Sequence, residues 1–367
     1  MLETYSNCPI CKQEVELIEI QLPLFRHLDF STIPNVTTFL KCTYCQIISN
    51  PSVINSELSN FEGEQYAVSS QTDQIISVDG YPEPLLRSFL QAKLLVDRYF
   101  TANQNIRILD IGCFDGRLLI ELDKLLVNAD LWGFDINTHL NSVFPKKNNF
   151  NFLATSLDDI RVSFDLIILS HSIFYIHDQN DLMSQIYRLL KNDGILFIQI
   201  PDIKKSPYYS LMGDQYYIFT QTSLINFLGY FGYITEKIYN DYFPKELLVA
   251  AKKNRGSYVN CLEDDSFLQN IKILLDTKVK LDCISFENIS VLGTTVNAAF
   301  VDEILNEKVL YFIDEKPSKT GKIFRGKKVL HPKEISEKNH TILPYGELGN
   351  KIRARFERNF EGTFTVM

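Results

Sequence analysis

One juncture constrains this chain more than any other feature: the segment RILDIGCFDGRLLIELDKLL, in which a short apolar run passes through two close glycines into a helical repeat. Asp110-Ile111-Gly112-Cys113-Phe114-Asp115-Gly116 forms the turn. Glycines there let the backbone reverse tightly and approach a ligand, and the following helix start offers unsatisfied N–H groups. The pattern around the turn repeats the same logic. RILDIG, LWGFDI, FDLIILS and GILFIQIP read as buried strands, while GRLLIELDKLL and DLMSQIYRLL read as amphipathic helices. Alternation of this kind predicts a parallel sheet with helices on both faces. Upstream, LLRSFLQAKLLVDRYF (85–100) carries apolar residues at helical spacing and predicts another helix.

The turn itself discriminates between ligands. It reads D-x-G-x-x-x-G, whereas the nicotinamide dinucleotide fingerprint, which uses a related turn, reads G-x-G-x-x-G. Asp135 closes the next strand, where an acidic residue binds ribose hydroxyls. ATSLDDI, FDLIILSHSIFYIHD and LLKNDGILFIQIP complete a spaced series of sheet-edge segments, and the balance falls toward S-adenosylmethionine (SAM). Over roughly residues 85–250 the chain resembles the class I SAM-dependent methyltransferases, with their Rossmann-like sheet. The resemblance implies that Asp110, Gly112 and Gly116, with Cys113 inside the loop, line the methionine side. It also implies that Asp135 and Ile136 hold ribose and adenine, that Ser156 and Leu157 lie by the adenine, and that Ser170 and His171 end the fourth strand near the sulfonium.

Cys8-x-x-Cys11 and Cys42-x-x-Cys45 form two knuckles, each suited to present two thiolates to one tetrahedral Zn²⁺. Residues 12–41 separate them, a longer stretch than in ordinary zinc ribbons, and a β-hairpin excursion would absorb the excess. Four thiolates close the coordination shell, so the expected role is structural. The first residues, MLETYSNCPICK, lack an apolar leader, and no segment reaches membrane-span length. A cytoplasmic protein with reduced cysteines is expected. The net charge of −8 argues against nucleic-acid and anionic-membrane partners, which need a basic face.

The organisation expected is therefore α/β and modular: a zinc-binding module over 1–60, a SAM-dependent domain over 61–252, and a small α/β Rossmann-like domain over 253–367. The last domain shows ISVLG and VLYFID as strands around a helix at VNAAFVDEIL, with TILPY as a later strand. Its loop runs from Asp314 to Lys322 (DEKPSKTGK), then Phe324-Arg325-Gly326 and Pro332. Lys316, Lys319, Lys322 and Arg325 either meet phosphate or form a solvated cluster. Knuckles, SAM fold and tail, in this order, resemble the three-module sugar C-methyltransferases, which act on nucleotide-linked keto-deoxysugars. Tyr66, Ser69 and Ser70 match that family's segment reaching into the active site. The resemblance implies methyl transfer to a nucleotide-activated sugar, with release of S-adenosylhomocysteine.

The chain departs from the family where the chemistry lies. The family's Glu-His pair, its source of a general base, is Asp214-Gln215 here; Tyr175 replaces a histidine and Gln199 a glutamate. Glutamine accepts no proton at neutral pH, so the base must come from elsewhere. His171 and His177 flank the loop after the fourth strand and titrate in the right range. Asp178 and Asp214 are placed to orient one of them or to act directly, and Tyr208, Tyr209, Tyr216 and Tyr217 are expected to line the acceptor site. Catalytic candidates are thus His171, His177, Asp214 and Tyr175. Two alternatives stay open: an O- or N-methyltransferase acting on another metabolite, and a non-catalytic binder of SAM or a sugar nucleotide.

Overall fold

The structure, a computed structural model, describes residues 7–34, 38–54, 75–76, 83–254, 262–336 and 338–367. Tyr66, Ser69, Ser70 and Cys261 lie outside the described residues. The chain forms two compact units: Met1–Leu17, Leu40–Asp202 and Tyr216–Asp264 make the first, and Ile18–Phe39, Ile203–Gln215 and Asp265–Met367 the second. No helix among the described residues is long and apolar enough to cross a membrane.

The first unit is built on a seven-stranded sheet. Its spatial order is Phe150–Leu153, Ala129–Phe134, Ile106–Ile111, Phe164–Ser170, Leu190–Pro201, Glu246–Lys253 and Tyr233–Tyr239. The first five strands pair in parallel, and the last two add antiparallel. Strand side chains alternate between two cores. Leu109, Ile111, Ile167, Leu169, Leu196 and Ile198 share one with Leu182, Ile186 and Leu189 of the helix Gln179–Leu189. Ile106, Ile108, Leu166, Ile168, Ile195 and Phe197 face the other, covered by the helices Arg87–Tyr99 and Arg117–Leu125. Strands buried on both faces read as the continuous apolar runs seen in the sequence.

The knuckles belong to this unit. Cys8, Cys11, Cys42 and Cys45 sit in the first core together with Phe227 and Leu182. A small sheet continues from them, with Leu40 and Lys41 paired to Ser49 and Ile48, which pair in turn with Tyr217 and Ile218. Between the knuckles the expected hairpin is present: Leu24–Phe25 pairs antiparallel with Thr32–Ile33, within the second unit.

The second unit carries a six-stranded sheet in the order Ile323–Phe324, Lys327–Leu330, Val309–Ile313, Ile289–Leu292, His340–Leu343 and Thr363–Val366. Five strands are parallel, and Ile323–Phe324 is an antiparallel edge. Chain order reverses beside Ile289–Leu292, the doubly wound arrangement in which ligands bind at the reversal.

Arg325 does not face a ligand here. Its guanidinium pairs with Asp302 at 2.7 Å and with Glu303, donates to the Phe30 carbonyl of the hairpin, and lies over the Phe25 ring. With Arg325 only 13% exposed and Asp302 7%, removing the cation strands carboxylates in a poorly solvated place. Lys327, 2.6 Å from Asp302, compensates in part. Arg325→Ala is therefore expected to destabilise the second unit by about 3 kcal/mol, read as a lowered urea midpoint. Lys316, Lys319 and Lys322 remain exposed.

Candidate functional site

In an open α/β sheet the ligand edge lies at the carboxyl ends of the parallel strands. The strand Ile106–Ile111 ends there, with Asp110 as its penultimate residue, 3% exposed. Its Oδ1 is buried with no hydrogen-bond partner among the described residues. Burial, reinforced by Asp135, pushes its carboxyl up to about 7. A buried oxygen in this state calls for a cation.

The turn that follows is shaped for close approach. Gly112 has φ +80°, and a Cβ there would meet the Ser172 Cβ at 2.5 Å. Ser172 donates from Oγ to the Ile111 carbonyl at 2.6 Å, so the loops after the first and fourth parallel strands are locked together. Gly116, φ +78°, is the N-cap of the helix Arg117–Leu125 and uses no side-chain cap. Cys113 is buried inside the loop, and burial, reinforced by Asp110 and Asp135, pushes its thiol well up; this is a packing thiol, not a nucleophile.

Asp135 follows the strand Ala129–Phe134 as expected. Its Oδ2 accepts from the Phe114 N–H at 3.1 Å and its Oδ1 from the Asn137 N–H at 3.0 Å. Burial pushes this carboxyl up, and the two backbone donors oppose the shift. Lone pairs remain for two hydroxyls. Ile136 beside it is 72% exposed, an apolar surface suited to a flat ring. Ser156 caps the short helix Leu157–Asp159 by accepting from Asp158 N–H at 3.0 Å, while Leu157 is buried. Asp110, Gly112, Cys113, Gly116, Asp135, Ile136, Ser156, Leu157, Ser170 and His171 all fall in the first unit. The orphaned Asp110 oxygen and the glycine cradle fit the methionine part of SAM, and Asp135 fits its ribose.

The catalytic candidates separate. His171 follows the fourth parallel strand, Phe164–Ser170, with φ +57°, an unusual conformation for a residue with a Cβ, and its N–H donates to the Gln199 carbonyl at 2.9 Å. Its Nε2 lies 3.4 Å from Glu246 Oε2. Glu246 in turn receives Arg87 Nη2 at 3.1 Å, has Arg87 Nε at 3.0 Å, and accepts from the Gln199 side-chain amide. Burial, followed by Arg87, pushes the His171 imidazole down, and Glu246 opposes this. Burial would push the Glu246 carboxyl up, but His171, Arg87 and the hydrogen bonds bring it down to about 2.

Tyr175 is half-buried beside the Phe174 ring at 4.8 Å. His177 is exposed, with its ring 5.0 Å from that of Tyr216. Asp178 caps the helix Gln179–Leu189 by accepting from Asp181 N–H at 2.9 Å, which accounts for it structurally. Asp214 belongs to the second unit, buried, accepting from the His27 N–H. Two of the four tyrosines are core residues instead of lining a site. Tyr208 packs against Phe300, and Tyr217, 1% exposed, donates from its hydroxyl to the His177 carbonyl at 2.9 Å. The reading of the sequence missed Arg87 and Glu246 altogether. The one available signal was Gln199, a polar residue inside an apolar strand.

The four cysteines are buried, and their sulfurs lie within 4.8 Å of one another. Adjacent sulfur distances of 3.8, 3.4 and 3.7 Å approach the edge of about 3.8 Å that Zn–S bonds of about 2.3 Å impose on a tetrahedron. The knuckles match residue for residue. Lys12 and Gln46, each directly after a second cysteine, take φ +61–62° and donate N–H to the Cys8 and Cys42 carbonyls. Tyr44 and Cys45 N–H point at the Cys42 sulfur at 3.4 and 3.3 Å.

Residues 86–233 match the family model described as a methyltransferase domain. The chain is 26% identical over 106 residues to the malonyl-[acyl-carrier protein] O-methyltransferase of Bacillus anthracis, 28% of this chain and 39% of that one. It is 26% identical over 162 residues to the ubiquinone biosynthesis O-methyltransferase of Pelagibacter ubique (strain HTCC1062), covering 42% and 62% respectively. The chain thus spans less than two thirds of the length of either relative. Among solved structures, the plantazolicin methyltransferase BpumL in complex with SAH aligns at a TM-score of 0.38 and 19% identity, over 46% of this chain and 82% of that one. Over residues 86–233, the chain carries a methyltransferase domain.

Proposed function

We propose that the protein transfers a methyl group from SAM to a small-molecule acceptor, a nucleotide-activated sugar or glycan precursor, and releases S-adenosylhomocysteine. The observation that carries the methyl-transfer part is the buried Asp110 oxygen, without a partner among the described residues, beside the Gly112 turn. Bound there, SAM supplies an electrophilic methyl on a sulfonium. Asp110 holds its ammonium group and Asp135 its ribose. Gly112 keeps the backbone out of the way, and the hydrogen bond from Ser172 to the Ile111 carbonyl fixes the mouth of the site.

Support for a nucleotide-linked acceptor comes from the second unit and from the three-module resemblance. The strand Ile289–Leu292 runs through the Gly293 turn into the helix Val296–Leu305, and Asp314 follows the neighbouring strand Val309–Ile313. An acid at that place suits ribose hydroxyls, and exposed Lys316, Lys319 and Lys322 suit phosphate. The four-cysteine cluster takes a structural zinc in this reading, and its reduced thiols fit a cytoplasmic setting.

Asp214-Gln215 favours a second reading, methyl transfer to oxygen or nitrogen of another metabolite. A hydroxyl gives up its proton more readily than a carbon acid, and the two curated relatives carry O-methyltransferase names. The deciding experiment offers the zinc-replete protein labelled SAM with a panel of nucleotide sugars and other hydroxylated metabolites, then places the label by NMR. Label on a nucleotide sugar supports the first reading, and label only on another metabolite the second. SAM binding with no transfer to any acceptor would leave a non-catalytic binder.

A further inference from the structure

Glu246 lies outside every motif that identifies the domain, yet it lies at the ligand edge. In register, Ser170 faces Gln199 and Pro201 faces Glu246, so His171, Gln199 and Glu246 gather where the fourth and fifth parallel strands end. Gln199 is fully buried and Glu246 is 9% exposed. A carboxylate this buried is retained only when it is fully engaged. Arg87 approaches both of its oxygens, and the Gln199 amide donates to Oε2, so two elements hold the carboxylate and it faces a third, His171.

The imidazole is asymmetric. Nε2 is buried and faces Glu246 Oε2 at 3.4 Å without a formed hydrogen bond to any described residue, while the side chain as a whole keeps 28% of its surface accessible. No described residue makes a hydrogen bond to Nδ1. The ring is also held by a left-handed backbone at residue 171, a conformation that costs of order 1–3 kcal/mol and tends to persist where function needs it. The other candidates lack this arrangement: His177 is exposed against Tyr216, and Asp214 sits in the second unit on the His27 N–H.

We propose that His171 is the general base of the methyl-transfer site, and that Glu246, clamped by Arg87 and Gln199, is the positioning residue that holds its Nε2–H and leaves Nδ1 to take the acceptor's proton. The acceptor's bond to hydrogen breaks, and the proton moves to Nδ1. The bonding pair stays on the acceptor atom and forms its bond to the methyl carbon, while the pair of the broken carbon–sulfur bond stays on sulfur. Glu246 stabilises the imidazolium until solvent removes the proton, as a buried carboxylate does for a catalytic histidine elsewhere. The charged groups facing the ring are Arg87, on the helix Arg87–Tyr99, and Glu246, on the strand Glu246–Lys253. The proton-acceptor role rests on the methyltransferase reading; the tautomer does not.

The test is long-range ¹H–¹⁵N NMR of the histidine-labelled full chain across the neutral pH range, with His171→Gln to assign the signal. The wild type is expected in the Nε2–H tautomer. Glu246→Gln should mix the tautomers and move the titration midpoint down, because the anion that favours the cation is gone, and Glu246→Asp should restore both in part. An Nδ1–H tautomer in the wild type overturns the proposal whether or not any variant folds. So does a tautomer and midpoint unchanged in folded Glu246→Gln. Calorimetry with SAM on the same samples keeps the two readings apart: a wild type that binds no SAM sinks the methyltransferase reading and leaves the histidine result intact.

Discussion

Asp110→Asn is expected to weaken SAM binding by roughly 10- to 150-fold, or about 1.5–3 kcal/mol, while leaving the fold in place. The substitution keeps shape and removes charge. In the free protein that charge is a liability, since Asp110 is 3% exposed, lies near Asp135, and has an oxygen without a partner among the described residues. The folded protein holds the carboxyl proton up to about 7, whereas the unfolded chain releases it near 3.8. Stability of the free protein is therefore fullest below that lower value and falls as pH rises through the upper one. The Asn variant should be as stable as the wild type at neutral pH, or more so. Binding an ammonium group reverses the balance, because the cation favours the carboxylate. SAM affinity should consequently fall as pH drops below about 7, approaching tenfold per pH unit, and Asp110→Asn should flatten that dependence. Calorimetric titrations at several pH values read both effects.

Cys45→Ser, or a strong chelator, is expected to lower the melting temperature by about 10 °C or more and to loosen the site as well as the knuckles. Connections from the four-cysteine cluster to the site are specific. The Cys45 carbonyl accepts from Asn226 at 3.4 Å, and Gln46 Oε1 accepts from Asp264 N–H at 3.3 Å. Ser49 and Ile48 pair with Tyr217 and Ile218. Tyr216 N–H donates to the Phe174 carbonyl at 3.0 Å, and the Tyr217 hydroxyl to the His177 carbonyl. Those last two bonds fasten the loop that follows His171. Hydrogen exchange should accordingly lose protection at residues 216–226 and 173–177 on metal removal, while the central strand Ile106–Ile111 keeps its own. Protection unchanged at 173–177 would show the knuckles to be a local staple only.

What the sequence made legible was what is written locally. The turn after RILDIG, the helices Arg87–Tyr99, Arg117–Leu125 and Gln179–Leu189, and the convergence of four cysteines follow from periodicity and spacing, and the structure has them. Asp135 was visible because a strand end places it. What escaped is non-local. Arg87 and Glu246 are 159 residues apart, on elements whose neighbourhood only the antiparallel end of the sheet creates. Arg325 looked like one of four equivalent basic residues, since nothing in its own loop announces Asp302, Glu303 and the Phe30 carbonyl. Tyr208 and Tyr217 looked like ligand-facing tyrosines because composition does not tell which face of a loop is covered. The left-handed backbone at His171 carries no sequence signal either, the residue not being glycine.

The edge defined by Asp110, Gly112 and Asp135 is expected to hold SAM. Calorimetric titration of the zinc-replete protein with S-adenosylhomocysteine or SAM tests it most directly. One site per chain with affinity in the micromolar range, weakened in Asp110→Asn, is expected. No binding heat in the wild type, or binding undiminished in that variant, contradicts it.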